Sequence, residues 1–511
     1  MGQARSLNPP DPSIKLGKPF SPPKRVRWAF FLLLALLGLV LRLPQLGARP
    51  MHTDEAVNAY IVGQLLSGKS FTYDPRDRHG PLLAALTLPL ARLQGAKAFS
   101  DLTESELRLT PVLAGTITIL LFGAAVEIFG FLPCLIAALL FAVAPLPVYY
   151  DRYFIHESLF VAATFGLILT IWRARNEHSA EQSLLAAACA ALMLASKETA
   201  LLHFAALSAA GVVFWRWNLR SKGVGSVWRP RITLVAAAVF LVLSILLFTW
   251  FGANWKALPA LLHAVPDAFS RSGGEGHQKP FWYYAQLLTG GWSGGMIVAL
   301  ACVGFLQTIR WREPSPYGLL AFYALFIGLI YSLIPYKTPW LALSLWLPIA
   351  LFAGRAIESF WLMSAKFPRH GVAIQTCFIL AGTAVAALAV HDTWQRVFLH
   401  PAEETNPYAY AHTSDDLLGL PAEIDKLAHQ NSIVAPRIAV IAADPWPLPW
   451  YLRHYPNVGF WQPAQQPGNA DFYITSTDAA GQYAEQLQNF HPEFFGVRPN
   501  VLILLWSPVP K

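Results

Sequence analysis

Two adjacent carboxylates, Asp54 and Glu55, follow closely on the first long apolar run of the chain, Trp28 to Leu46. Carboxylates at the foot of a membrane helix are costly unless they have partners or chemistry to perform. Placed there, a carboxylate can take the proton of an acceptor hydroxyl or amine as a general base, or hold a divalent cation. His52 stands just before the pair, and His79 ends a second polar patch in the same loop, Tyr73-Asp74-Pro75-Arg76-Asp77-Arg78-His79. Either histidine can join such a site or serve as an ordinary surface hydrogen-bonding residue. Between the patches, Val57 to Leu66 reads as a short amphipathic helix lying along a membrane surface.

A second acid/base segment is Asp151-Arg152-Tyr153-Phe154-Ile155-His156-Glu157. In a helix, Arg152 and His156 share a face and Glu157 lies one position round. The alternative is a helix end whose charges meet water. Three cations stand at helix boundaries: Arg108, Lys197 and Lys337. Such residues either snorkel to lipid headgroups or hold the phosphate of a lipid-linked donor, Arg as a bidentate fork and Lys as a point charge. Lys337 is enclosed by Pro335, Pro339 and Trp340, which stiffen the backbone around one charge. The glycine-rich loop Ser272 to His277 reads as flexible. The sequence contains no Walker loop, no dinucleotide glycine fingerprint after a strand and no zinc motif. Energy for a reaction must then come from an activated donor or from a gradient.

The elements that carry these residues are membrane helices. Hydrophobic residues make up 55% of the 511 and charged residues 13%, against about 25% charged in soluble domains. Mean hydropathy is +0.40. The formal charge of +8 does not point to nucleic acid, because bare Arg and Lys cluster in alternate loops between apolar runs. Cys134, Cys189, Cys302 and Cys377 all fall inside apolar runs and read as small buried hydrophobes.

Residues 1–27 read as a cytoplasmic tail before an uncleaved first membrane helix, since the run exceeds the ~7–15 residues of a signal-peptide core. Ten further runs can span: Leu107–Ile128, Leu132–Tyr149, Ser158–Trp172, Ser183–Ala195, Ala200–Trp217, Ile232–Phe251, Gly294–Ile309, Tyr317–Ile334, Trp340–Ser359 and Val372–His391. About eleven spans result, the shorter ones reaching the ~20 residues a helix needs only with their flanks. With a cytoplasmic N-terminus, Arg173 and Arg175, Arg216 to Arg231, Arg310 and Arg312, and Lys366 and Arg369 fall inside. The mixed patches at 52–55, 151–152, 197–198, 273–277 and 335–340 collect outside. After His391 the chain turns polar, and the β-like runs Ile438–Ala442, Asp471–Thr475 and Val501–Trp506 alternate with helix-like stretches such as Ser414–His429. That alternation predicts a small α/β domain.

Arg42, His52-Thr53-Asp54-Glu55-Ala56, Tyr73-Asp74-Pro75, His79-Gly80-Pro81-Leu82-Leu83 and Arg108 together resemble the GT-C superfamily of membrane glycosyltransferases. That superfamily includes protein O-mannosyltransferases and aminoarabinose transferases. Arg152 to Ser158, Pro335 to Trp340 and Trp446 to Arg453 are similar to a prokaryotic branch called flippase activity-associated. The resemblance runs from about Arg42 to Trp461. It implies a polytopic α-helical fold: a cytoplasmic tail (1–27), a transmembrane domain (28–391) with a catalytic first outer loop (47–106), and an extracytoplasmic α/β domain (392–511). It implies use of a polyprenyl-phosphate-linked sugar on the outer face of the cytoplasmic membrane, with a protein or glycolipid acceptor.

By the same resemblance, Asp54 is the catalytic base, and Glu55 and Glu157 are auxiliary acids or ion ligands. Arg108, Lys197 and Lys337 contact the donor phosphate. His52, His79, Asp151, Arg152 and Trp340 are further site candidates. A divalent ion such as Mg or Mn between Asp54 and Glu157 is left open. Glu198 occupies the position after Lys197 where the aminoarabinose-transferase branch usually has glycine. The rival reading is a transporter or flippase component for lipid-linked sugars, which would place charges near the bilayer midplane.

Overall fold

A computed structural model describes residues 21–76, 78–218, 229–272, 277–311, 315–364, 366–367 and 370–509. Most of residues 1–27, together with Asp77, Arg220, Lys222, Gly273 to Gly276, Arg312 and Arg369, lie outside the described residues.

In chain order the helices are α1 (Lys24–Arg42), α2 (Thr53–Leu66), α3 (Leu82–Leu93), α4 (Glu104–Phe129), α5 (Phe131–Val143), α6 (Pro145–Tyr150), α7 (Glu157–Glu177) and α8 (Ala180–Ser196). They continue with α9 (Ala200–Asn218), α10 (Pro230–Phe248), α11 (Ala257–Ser272), α12 (Tyr283–Thr289), α13 (Gly291–Trp311), α14 (Pro316–Leu333), α15 (Ala342–Ser364) and α16 (Gly371–Thr393).

Each expected apolar run is largely helical, but the run from Leu132 to Tyr149 breaks in two. Pro145 disfavours the helical conformation for the residue before it, and Ala144 is extended at φ −73° and ψ 147°. Among the described residues, eight helices are long and apolar enough to cross a bilayer: α4, α7, α9, α10, α13, α14, α15 and α16. The expected eleven is not reached on that criterion. Helix α1 carries Lys24, Arg25, Arg27 and Arg42, while α5 and α8 have only 13 and 17 residues.

Helix α15 is central and packs against α5, α7 and α13, whereas α10 and α16 turn mostly apolar faces outward, as lipid-facing helices do. Outward faces also explain two cysteines. Cys134 is buried as expected, but Cys302 and Cys377 are exposed on the outside of α13 and α16.

The two ends of the bundle differ in chemistry. At one end Arg27 meets Glu127 at 2.7 Å and Arg173 donates to the Ala124 carbonyl. At the other end α1 closes with Arg42, which meets Asp151 at 2.8 Å. Gly115 makes that pair possible, because a Cβ there would sit 2.0 Å from Asp151 Oδ2.

The C-terminal unit comprises α17 (Leu420–Gln430), β1 (Arg437–Ile441), α18 (Leu448–Tyr451), β2 (Asn457–Trp461), β3 (Phe472–Ser476), α19 (Thr477–Tyr483), β4 (Phe490–Arg498) and β5 (Val501–Pro508). Its strands form one mixed sheet in the order β2-β1-β3-β5-β4. Both neighbours of β1 are parallel to it, and β5 is antiparallel to β3 and β4. The three expected strands are β1, β3 and β5. The two not anticipated, β2 and β4, are the sheet edges. Pro492 in β4 is tolerated because an edge strand has one side without ladder bonds.

One hydrophobic cluster joins this sheet to the loop after α1. It contains Met51, Ala59 and Val62 of that loop together with Ile438, Val440, Trp450 and Phe472. Helix α2 is accordingly mostly buried, between α3 and α18, and does not lie as an amphipathic helix along a surface. Its sequence is apolar nearly all round, and that suits burial better than an interface.

Candidate active site

Helix α2 begins at the carboxylate pair. Its N-cap is His52, whose Nδ1 accepts the Asp54 amide at 3.0 Å, while the His52 amide donates back to Glu55 Oε2 at 3.1 Å. This reciprocal capping satisfies two amides that the first helical turn would otherwise leave open. It also sets the His52 tautomer: Nδ1 is an acceptor, so Nε2 carries the proton and donates to the Tyr410 carbonyl at 3.2 Å.

Glu55 is wholly buried. Its oxygens also accept Arg108 Nε and Nη2, both at 2.8 Å, and the Phe154 amide at 2.8 Å. Burial pushes its carboxyl up, but Arg108, Arg49 and the Phe154 amide outweigh burial and hold it at about 2. The remaining Arg108 donors go to the carbonyls of Leu46, Arg49 and Pro50. All five guanidinium hydrogens are therefore engaged, leaving Arg108 no donor for the phosphate contact expected of it. Arg152 is used in the same way, on the carbonyls of Arg42, Pro44 and Gln45, with its guanidinium 4.8 Å from the Phe398 ring centre.

Asp54 differs from its neighbour. It is exposed, and its side chain makes no hydrogen bond or ion pair among the described residues. Its charge acts on His52, Tyr153 and His277, members of a packed aromatic cluster beside the start of α2. The inner part is buried: His52, Tyr153, Trp340 and His412 have ring centres 5.4–6.2 Å apart. The rim is half-buried. His277 Nδ1 and the Tyr410 hydroxyl lie 2.6 Å apart, and the His277 ring is 4.7 Å from Tyr336.

A short antiparallel pairing between residues 277–279 and 335–337 builds that rim. Lys337 donates its amide to the His277 carbonyl at 3.1 Å, and Lys279 its amide to the Pro335 carbonyl at 3.2 Å. Two lysines are thereby set side by side. The Lys337 ammonium turns inward to the carbonyls of Lys279 and Ile334, and burial lowers its pKa. Lys279 keeps its ammonium 5.3 Å from the Tyr410 ring centre and makes no ion pair among the described residues.

A second polar group lies near the start of α7. Lys197 pairs with Glu157, both buried. The next residue, Glu198, accepts the Tyr73 hydroxyl at 2.8 Å and lies 2.8 Å from His79 Nδ1. Burial raises the Glu198 carboxyl, but His79, Tyr73 and a backbone amide bring it to about 2. Gly80 permits this contact: its α-carbon backs onto the Ala195 carbonyl, where a Cβ would come within 2.2 Å. The rings of His79 and His156 are 5.2 Å apart and line a small cavity with Asn58 and Phe154.

No family model matches the chain, and no curated protein does. Solved structures do. ArnT from Cupriavidus metallidurans bound to undecaprenyl phosphate superposes with a TM-score of 0.66 at 16% identity, covering 93% of this chain and 98% of that one. The chain has the GT-C fold. The archaeal oligosaccharyltransferase AglB from Archaeoglobus fulgidus, in complex with an inhibitory peptide and a dolichol-phosphate, matches with a TM-score of 0.54 at 13% identity, covering 95% and 76%. The arabinofuranosyltransferase AftD from Mycobacteria matches with a TM-score of 0.52 at 14% identity, covering 96% and 40%.

Within this fold several of the expected site residues fall into two groups. Asp54, His52 and Trp340 lie at one aromatic cluster, with Lys337 at its edge. Glu157, Lys197 and His79 belong to the second group, while Asp151 is committed to Arg42. Glu157 is tied to Lys197, and no group of three or more His, Cys, Asp or Glu among the described residues fits an ion. The residues not anticipated are Lys279, Tyr410 and His412, which reach the site from segments far apart in the chain. Only Lys279 left a trace in the sequence, as a lone cation after the glycine-rich loop.

Proposed function

We propose that this protein transfers a sugar from a polyprenyl-phosphate-linked donor to a protein or glycan acceptor, with the Asp54 site on the outer face of the cytoplasmic membrane. The observation that carries the reading is the contrast between the two carboxylates. Glu55 is saturated by Arg108 and two amides, whereas Asp54 stands exposed, with no hydrogen bond or ion pair among the described residues, beside an aromatic cluster on a GT-C fold. That ArnT was crystallised with undecaprenyl phosphate and AglB with a dolichol-phosphate supports the choice of donor class.

In the reaction, Asp54 accepts the proton of the acceptor nucleophile as it attacks the anomeric carbon. The bond from that carbon to the donor phosphate oxygen breaks, and polyprenyl phosphate leaves with the electron pair. Lys279 and Lys337 offset the charge that grows on the departing phosphate. Trp340, Tyr410 and Tyr336 offer apolar ring faces to the sugar. Glu55 and Arg108 hold the base in place, and the Lys197–Glu157 pair braces the adjoining wall.

The test is turnover by purified protein in nanodiscs, supplied with membrane-extracted lipid-linked sugars and acceptor. Asp54→Asn should lower turnover by about 10²–10⁴-fold with donor binding retained. Wild-type turnover in that variant removes Asp54 from catalysis. Accumulation of donor confined to the inner leaflet in cells lacking the protein would favour the flippase reading instead.

A further inference from the structure

The side chain of Asp54 has no hydrogen-bonding or ionic anchor among the described residues, so the direction it points is set by the backbone that carries it. That backbone is held from the far end of the chain. Met51 is fully buried, and both of its main-chain polar groups bond to C-terminal side chains. Its amide donates to the Tyr451 hydroxyl at 2.9 Å, and its carbonyl accepts the Thr413 hydroxyl at 2.7 Å. The next residue, His52, reaches the Tyr410 carbonyl through its ring. The other end of the same loop is held similarly. Trp450 Nε1 donates to Glu104 Oε1 at 2.7 Å, and Arg453, stacked 3.8 Å from the Trp450 ring centre, donates to the Leu102 carbonyl at 3.2 Å.

We infer that Tyr451 and Thr413 are positioning residues for the Asp54 carboxylate, so that the C-terminal unit is part of the catalytic apparatus rather than an appendage. Fixing both polar groups of one residue fixes the peptide planes on either side of it. The plane after Met51 leads directly into the N-cap of α2, and Asp54 lies within the first turn of that helix. The inference rests on the reading of Asp54 as the base. It goes beyond that reading by locating what aims the base: two hydroxyls 362 and 400 residues away in sequence. Tyr451 also packs in the cluster that joins the sheet to the loop, so the ring keeps its burial when the hydroxyl is removed.

The experiment uses full-length protein in nanodiscs with Tyr451→Phe, Thr413→Val and Thr413→Ser. Three readouts are taken: amide hydrogen exchange over residues 51–56, binding of undecaprenyl phosphate as the probe, and turnover with membrane-extracted lipid-linked sugars. Tyr451→Phe and Thr413→Val should each speed exchange over 51–56 by about fivefold, the consequence of losing one hydrogen bond worth about 1 kcal/mol. Exchange in the β-sheet and undecaprenyl phosphate binding should stay within about twofold. Turnover number should fall about 10–100-fold at unchanged donor KM, since small misplacement of a catalytic group is enough for losses of that size. Thr413→Ser, which keeps the hydroxyl, should recover both exchange and turnover.

Unchanged exchange in Tyr451→Phe and Thr413→Val overturns the inference. So does faster exchange with wild-type turnover. If the unmodified protein transfers no sugar from any lipid-linked donor, the functional reading fails, and the exchange result still decides whether the C-terminal hydroxyls hold the segment that carries Asp54.

Discussion

Asp54 and Glu55 are the same chemistry at neighbouring positions, separated by environment. Glu55 faces Arg108 in the interior and accepts four hydrogen bonds, while Asp54 faces out on the next position of the helix. Their variants should therefore fail differently. Glu55→Gln leaves the Arg108 guanidinium buried without its counter-charge, at a cost of about 3–5 kcal/mol. Thermal unfolding in nanodiscs should show a lowered midpoint for Glu55→Gln and a near-native one for Asp54→Asn. A native midpoint in Glu55→Gln would mean the buried pair is not structural. Acid adds a second separation. Glu55 and Glu198 both have folded values of about 2, depressed from an ordinary value near 4.5. The stability they contribute is complete above about 4.5 and is lost as pH falls from there toward 2. Unfolding midpoints measured between pH 6 and 3 should decline below 4.5, and Glu198→Gln should shallow that decline.

At the scale of elements, close approach depends on the absence of a side chain at two glycines. Gly115 of α4 lets Asp151 lie flat against the helix and meet Arg42 of α1. An alanine there must displace the carboxylate, so Gly115→Ala should break a buried ion pair and cost about 3–5 kcal/mol, seen as lower recovery of monodisperse protein. Gly80→Ala pushes the loop away from the Ala195 carbonyl at the end of α8. The overpacking costs about 1–3 kcal/mol, and His79 is pulled from Glu198. The loss should be seen as a lower thermal unfolding midpoint in nanodiscs, and a wild-type midpoint would mean that the close approach at Gly80 is not needed. Gly115 carried no signal in sequence and Gly80 entered only as part of a motif, because the crowding at both comes from segments distant along the chain.

At the scale of the whole molecule, the bundle presents bare basic residues at one end and the mixed acid/base site at the other. In the orientation we propose, with the N-terminus in the cytoplasm, the C-terminal sheet and the Asp54 site face outside. In a variant lacking the four native cysteines, a cysteine at Asp74 or Gly481 should react with an impermeant maleimide in intact cells. A cysteine at Arg216, at the opposite end of α9, should react only after permeabilisation. Labelling of the Arg216 position in intact cells would invert the orientation and bring the site to the cytoplasmic side.

The sequence by itself determined the class of molecule and the identity of the first carboxylates. Membrane helices announce themselves because twenty apolar residues need no partner to be recognised, and the resemblance from Arg42 onward pointed to the superfamily whose fold is observed. Short β-like runs alternating with helix-like stretches marked β1, β3 and β5, while the edge strands β2 and β4, one interrupted by Pro492, carried no such signal. What only the tertiary structure decided was the division of labour among charges. Nothing in the spacing of Arg108, Arg152 and Lys197 says that each is consumed by carbonyls or carboxylates from elsewhere in the chain, nor that Lys279 keeps its ammonium over a tyrosine ring. Partner choice for a buried ion is set by which backbones approach within 3 Å, a property of packing. Tyr451 and Thr413 show this most plainly: ordinary residues by type, they hold Met51 only because the chain folds its last hundred residues back onto its first loop.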